Sequence, residues 1–223
     1  MASSILFVGK KDDQFCDKAV DIIKNNFDSY KILLGDRFDK LPSEIESWEG
    51  GDYIISYLSP WVIPVNILKK AKINAINFHP GSPEYPGIGC TNFAIYDQVD
   101  NFGVTCHKMN PKVDTGEIIK VIRFSVLPED TVYSLTMRCY EKIFELFNEI
   151  ILLICAKSKL YASDEFWKRK PYTRKQLNEL CKITVDMPES EIKKRVKAVT
   201  FPNAPGAYVE LAGIKFKVDD TYV

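Results

Sequence analysis

Histidine is the scarcest residue in this chain: among 223 residues there are two, His79 and His107. A zinc site would therefore have to be built on cysteine. The six cysteines, Cys16, Cys90, Cys106, Cys139, Cys155 and Cys181, are widely spaced and form no Cys-x-x-Cys or Cys/His cluster. That excludes the usual zinc arrangements and leaves free thiols in a reducing compartment as the expectation. Net charge is missing as well, with 30 basic residues against 30 acidic ones. A general nucleic-acid binder carries a basic excess, so none is expected here. Long apolar runs are absent too. The longest, Ile150 to Ala156, is too short to span a bilayer and follows Glu145, Asn148 and Glu149, so it reads as a buried amphipathic helix. No signal peptide precedes the apolar stretch beginning at Ile5. No internal repeat or low-complexity segment occurs. The expectation is a cytoplasmic protein without metal, nucleic-acid or membrane partner.

What is present is an alternation of strand and helix patterns. Ile5 to Gly9 reads as a buried strand, with Asp12 or Asp13 capping a helix that runs to about Asn26. Strands follow at Tyr30–Gly35, Asp52–Leu58 and Ala75–His79, with short helices at Pro42–Trp48 and Pro64–Lys70. Pro80 to Gly89 is a Pro/Gly-rich loop, and Thr91 to Gln98 is helical. Two more strands, Gly103–Met109 and Glu117–Val126, precede a long helix from Asp130 to about Lys157, whose Ile143, Leu146, Phe147 and Ile150 share one face. This order predicts an α/β fold with a doubly wound, mostly parallel, Rossmann-like sheet, which binds ligands beyond the carboxyl ends of its strands. The character changes near Leu160. A basic stretch leads to a helix over Glu189–Val199, a turn over Phe201–Gly206, and a hairpin of Ala207–Leu211 with Ile214–Val218. The expected division is a catalytic domain over residues 1–158 and a small helix-plus-hairpin extension over 159–223.

Two segments carry chemistry: Asn77-Phe78-His79-Pro80-Gly81 and Val113-Asp114-Thr115-Gly116-Glu117. An amide can donate to a developing oxyanion. An imidazole can take a proton from an amine near neutral pH, and a carboxylate can orient it and stabilise its charged form. Taken singly, a histidine at a strand end is more often structural, and Asp-Thr-Gly is most often a turn. His107, on an alternating strand, fits either a core position or a supporting one.

Together with Gly103-Val104-Thr105-Cys106-His107 and the loop Pro83–Gly89, these segments resemble the formyltransferase family that uses N10-formyltetrahydrofolate. That family shows Asn-x-His-Pro after a strand, a Pro/Gly loop, a Gly-Val-Thr-x-His strand and then Asp-x-Gly. The match is clear over about residues 50 to 128. The resemblance implies that Asn77 stabilises the tetrahedral oxyanion, that His79 takes the proton of the attacking amine and passes it to the leaving folate nitrogen, and that Asp114 holds the imidazole. It implies a folate pocket at Ser59, Pro60, Trp61 and Ile63 on one wall and Pro111, Lys112 and Val113 on the other.

The acceptor is set outside this common core. Gly9-Lys10-Lys11 is not a Gly-x-Gly-x-x-Gly loop, so a nicotinamide nucleotide is not indicated. Lys10 and Lys11 are candidates for a diphosphate, although the same pattern fits solvated surface lysines. Family members acting on methionyl-tRNA are longer and more basic, and those acting on glycinamide ribonucleotide begin with a Gly-rich phosphate loop that this chain lacks. Arg169–Lys175 and Phe201–Tyr208 instead resemble the C-terminal part of sugar N-formyltransferases. The implied acceptor is a nucleotide-linked amino sugar, such as dTDP-4-amino-4,6-dideoxyglucose destined for O-antigen, with Glu84 and Tyr85 of the variant loop at the substrate. A homodimer through the C-terminal hairpin is the expected assembly. The alternatives are formyl transfer to another amine, formyltetrahydrofolate hydrolysis, and a binding module without turnover.

Overall fold

Ser4–Lys10 forms strand β1, in which Ile5, Leu6, Phe7 and Val8 are all fully buried, as a central strand covered on both faces requires. The computed structural model describes residues 3–202, 204 and 206–219. Asp13, not Asp12, caps helix α1 (Gln14–Asn26), its Oδ1 accepting from the Phe15 and Cys16 N–H groups at 3.1 Å each. Strands β2 (Ser29–Gly35), β3 (Gly51–Tyr57), β4 (Ala71–His79), β5 (Asn101–Lys108) and β6 (Ile118–Ser125) complete a six-stranded sheet in the order β2-β1-β3-β4-β5-β6. The first four in that order run parallel, and β5 and β6 are antiparallel additions. The chain order reverses between β1 and β3, so the crevice beyond their carboxyl ends is open for a ligand.

Helix α4 (Val132–Cys155) covers the larger core face, started by a capping box between Thr131 and Ser134. Its Phe147 meets Tyr57 and Phe78 with ring centroids 5.2 Å away in both cases, and Phe7 at 6.3 Å. The opposite face is a smaller cluster in which Leu6, Val8 and Ile54 pack on Ile45, Trp48, Ile63 and Ile67. Here the helices expected over Pro42–Trp48 and Pro64–Lys70 shrink to a single 3-10 turn, Ser43–Ile45, and to α2 (Val65–Leu68). One turn each is enough to bring Ile45 and Ile67 into that cluster. Helix α3 (Cys90–Asp97) follows the Pro/Gly loop.

Beyond α4 the chain returns along β6 and the loop after β4, through backbone bonds from Ser163 N–H to Ile118 O (2.8 Å), Lys168 N–H to Pro83 O (3.0 Å) and Tyr172 N–H to Pro86 O (2.8 Å). Two elements in the basic stretch were not expected from the sequence, α5 (Arg174–Leu180) and β7 (Lys182–Ile183). The legible signal was the capping box of Thr173 and Gln176 that opens α5. Helix α6 (Glu189–Val199) and the hairpin of β8 (Tyr208–Leu211) and β9 (Ile214–Lys217) lie where expected, the hairpin closing through Ala212 (φ +50°) and Gly213 (φ +78°). Asn203 and Pro205 of the expected turn, and Met1 and Ala2, lie outside the described residues. No boundary in packing falls at residue 158: Leu160, Tyr172, Leu180, Ile183, Ala198 and Val199 all join the larger core. The Tyr172 ring stacks on Phe93 at 3.6 Å.

Candidate active site

Strand register assembles the site. Across β4 and β5, Asn77 lies opposite His107 and His79 opposite Thr105. Alternate residues share a face, so these four form one polar row while Phe78 and Cys106 point into the larger core. Asp114 enters from the turn after β5 with a left-handed backbone (φ +45°), which aspartate tolerates better than most residues. The Asp-x-Gly spacing is steric in origin. A Cβ on Gly116 would sit 1.8 Å from the Lys108 carbonyl oxygen, so only glycine lets the turn fold back to present Asp114. Gly81 is similarly constrained, because a Cβ there would lie 2.5 Å from His79 Nε2.

Asp114 is the hub. Its Oδ2 lies 3.3 Å from His79 Nδ1 and accepts the Gly87 N–H at 2.8 Å, and its Oδ1 lies 3.2 Å from His107 Nε2. Both imidazoles turn their other nitrogen to a backbone carbonyl: His79 Nε2 to Tyr85 O at 3.0 Å, and His107 Nδ1 to Lys108 O at 2.8 Å. A carbonyl can only accept, so each of those nitrogens carries a proton. The nitrogens left to gain or lose one are therefore His79 Nδ1 and His107 Nε2, the second hydrogen-bonded to Asp114 and the first within 3.3 Å of it. Burial pushes the Asp114 carboxyl up. The His79 charge, the bond and charge of His107, and the Gly87 N–H outweigh that and hold the group well below the usual carboxylate range. His107 Nε2 also lies 3.1 Å from Asn77 Nδ2, whose N–H it accepts only while it carries no proton of its own. His107 is thus both of the things its sequence position allowed, a buried residue and a support for Asn77 and Asp114.

Trp167 was not singled out in the sequence. Its ring stands edge-on to His79 (5.9 Å) and His107 (5.1 Å), and its Nε1–H donates to Gly116 O at 2.8 Å. No local motif marks it, because it reaches the site from the extension.

Two cavities that share lining residues lie beside this cluster. The smaller, about 390 Å³, is lined by Asn77, His79 and Asp114 together with Ser59, Pro60, Trp61, Ile63, Lys112 and Val113. Of the expected folate-wall residues, only Pro111 is not among its lining. Leu58, also on this wall, holds a left-handed backbone (φ +51°), a strained state for leucine that marks functional sites. The larger cavity, about 560 Å³, lies between α3, α4 and the extension, and shares Pro80, Ile88 and Tyr140 with the smaller one.

The four residues expected at the acceptor are placed differently. Lys10 Nζ pairs with Asp13 Oδ2 at 3.1 Å and sits over the Tyr140 ring, while Lys11 is exposed; neither lines either of these two cavities. Glu84 takes both terminal nitrogens of Arg123 at 3.2 Å each, a fork also shared with Glu165. Tyr85 is buried, with its hydroxyl donating to Asp97 Oδ2 at 2.9 Å; it serves the site through its carbonyl on His79. Glu84 and Tyr85 therefore shape the loop, and their side chains do not line either cavity.

Among the described residues, no group of His, Cys, Asp and Glu is arranged to hold a metal ion, and no helix is long and apolar enough to cross a membrane. All six cysteines are free thiols.

The family model for formyl transferase matches residues 43–158. A GDP-perosamine N-formyltransferase of Brucella melitensis is 29% identical over 163 residues, which cover 73% of this chain and 62% of that protein. The chain thus spans about three fifths of the length of this curated relative. Among solved structures, a 4-N formyltransferase from Francisella tularensis superposes with a TM-score of 0.76 at 19% identity, covering 97% of this chain and 98% of that one. An N-formyltransferase from Helicobacter canadensis, solved with folinic acid and dTDP-3-aminofucose, gives a TM-score of 0.74 at 19% identity, covering 95% and 85%. With its matched residues spanning β3 to α4 and carrying Asn77, His79 and Asp114, the chain belongs to the formyl transferase family.

Proposed function

We propose that this protein is an N-formyltransferase that moves a formyl group from N10-formyltetrahydrofolate to the amine of a nucleotide-linked amino sugar. The observation that carries this reading is that the cavity lined by Asn77, His79 and Asp114 shares Pro80, Ile88 and Tyr140 with a second, larger cavity. Two substrates can then approach one reacting centre from different sides. The smaller cavity suits the folate, since Leu58, Ile63, Leu68, Val113 and the Trp61 indole offer apolar walls to a flat ring. The larger cavity suits the acceptor.

The chemistry follows from the hydrogen bonds. With His107 Nε2 unprotonated, that nitrogen accepts one N–H of the Asn77 amide and leaves the other to the oxygen of the tetrahedral intermediate. His79 Nδ1 takes the proton that the amine loses on attack, and the imidazolium so formed faces Asp114 Oδ2. The proton then leaves with the folate nitrogen as the carbon–nitrogen bond to the formyl group breaks. Asp114 stays ionised throughout, which its depressed pKa favours.

The acceptor class is supported by the Brucella relative and by the ligands of the Helicobacter neighbour. Their names carry GDP in one and dTDP in the other, so the base is an open variable for experiment. The test is turnover with N10-formyltetrahydrofolate and a panel of dTDP-, UDP- and GDP-linked amino sugars, read by mass. Gain of one formyl group on a panel member is the expected result, and His79→Asn should reduce it by about 10²-fold or more while leaving the folded spectrum unchanged. Folate turnover that proceeds equally without any amine would identify a hydrolase instead.

A further inference from the structure

One nitrogen of His107 faces two partners that it cannot hold at once. Its Nδ1 keeps a proton for the Lys108 carbonyl, 2.8 Å away, so only Nε2 can change. That atom lies 3.1 Å from Asn77 Nδ2, which can only donate. It also lies 3.2 Å from Asp114 Oδ1, which when ionised can only accept. A bare Nε2 takes the Asn77 N–H and turns its lone pair on the carboxylate. A protonated Nε2 donates to the carboxylate and meets the Asn77 amide donor to donor. The charge state of His107 therefore decides whether the amide is held.

The surroundings limit how many protons the cluster takes up. His79, His107 and Asp114 are all buried, and Trp167 stands edge-on to both rings. The carboxylate facing both imidazoles is Asp114, one oxygen to each. The charges next to His107 on the other side, Lys108 and Glu117, pair with each other at 2.6 Å near the surface. One carboxylate balances one imidazolium. A second imidazolium would be left uncompensated away from water, which is strongly disfavoured.

We propose that His107 is a positioning residue that aims the Asn77 amide only while it is neutral, and that His79 and His107 compete across Asp114 for a single added proton. The proton-free cluster is then the active one. His79 Nδ1 is open to the amine proton, and His107 Nε2 holds the amide ready for the oxyanion. When the amine nitrogen passes its proton to His79, Asp114 balances that charge and its field no longer favours a proton on His107. His107 stays neutral, so the amide stays held at the moment the oxyanion forms. A proton that settles on His107 instead releases the amide and makes the next proton on His79 the uncompensated one. Capture of one proton by either ring thus silences the site. The catalytic meaning rests on the proposed formyl transfer, whereas the competition is a property of the folded chain without substrate.

The chain has two histidines, so isotope labelling of histidine nitrogens shows only these two rings by NMR. The full chain is titrated from alkaline to acid pH without substrate. His107 Nδ1 and His79 Nε2 should carry a proton throughout. The two free nitrogens should respond together to the first proton, each short of full protonation, with a second step well separated on the acid side. Two complete, independent steps overturn the inference, and so does a proton on His107 Nε2 at every pH. His107→Gln can offer Asn77 an oxygen and Asp114 an N–H together, and it does not titrate. In that variant His79 should titrate in one complete step at lower pH than the natural protein's first step, because its competitor is gone. The kinetic arm uses the amino sugar that accepts the formyl group. His107→Ala should lower kcat by about tenfold or more. Glutamine should recover much of that loss and carry the acid limb of kcat to lower pH. A glutamine variant no better than alanine, or one whose acid limb coincides with the natural one, overturns the inference. Shared titration with no formyl transfer to any amine leaves the proton competition standing and defeats the transferase reading. Formyl transfer by a protein whose rings titrate independently does the reverse.

Discussion

Asp114 concentrates the energetics of the site in one carboxylate. It is 5% exposed, touches both histidines of the chain and holds the Gly87 amide. Its folded pKa lies below the ordinary value of 3.8, so it contributes stability that is fully present above about pH 4 and is lost as pH falls toward the folded value. Asp114→Asn should therefore cost about 1–3 kcal/mol at pH 7, and the gap to the natural protein should narrow below pH 4. Urea midpoints measured at both pH values check this; a gap independent of pH would mean that the carboxylate's ionisation is not what stabilises the fold. Trp167 acts on the same cluster from the side. Trp167→Phe keeps an aromatic edge near the two imidazoles but removes the bond to Gly116 O, so we expect a several-fold fall in kcat with a stability loss of about 1 kcal/mol. An unchanged kcat would reduce the indole to packing. Asn77, His79 and Asp114 were legible in the sequence because each sits in a short motif. Trp167 was not, because its contact arises 88 residues beyond His79 in the chain.

At the level of elements, the site depends on a joint between the loop after β4 and the extension. Gly87 carries that joint: it pairs with Tyr172, its N–H holds Asp114, and its φ is +88°. A Cβ there would stand 2.4 Å from the Tyr172 carbonyl oxygen and 2.6 Å from its nitrogen. Gly87→Ala should lower stability by about 2 kcal/mol and reduce turnover through Asp114, as thermal unfolding and kinetics on the same sample would show. Retention of both would mean that the loop can re-form without its bond to Asp114. Most elements were legible from pattern, since β1 and β3 are short apolar runs and α4 carries a clear helical stripe. The exceptions have physical causes. The two-residue β7 exists only because β8 lies beside it. That the Glu84 and Tyr85 side chains turn away from both cavities was not legible, because a loop's composition does not say which way its side chains turn. Arg123 and Asp97, both distant in sequence, decide that.

For the whole molecule, the extension packs into the same core as the sheet and supplies one side of the larger cavity. Its hairpin leaves Leu211 of β8 and Ile214 and Phe216 of β9 exposed at 52%, 59% and 54%. An apolar edge of this kind invites pairing with a second copy. We propose a homodimer through the hairpin, which Phe216→Asp should convert to monomer in sedimentation at micromolar concentration. A natural protein that sediments as a monomer would leave the hairpin edge to the cavity alone. The sequence by itself determined the strand–helix alternation, the site trio and the family, because local periodicity and short-range sterics such as Gly116 beneath Lys108 O are written in neighbouring residues. The tertiary structure alone decided that His107 and Trp167 join the trio, and that the cavity lined by the trio shares a wall with a larger one beside the extension. Those relations join residues far apart in the chain, and only the packing of the extension against the sheet brings them within reach.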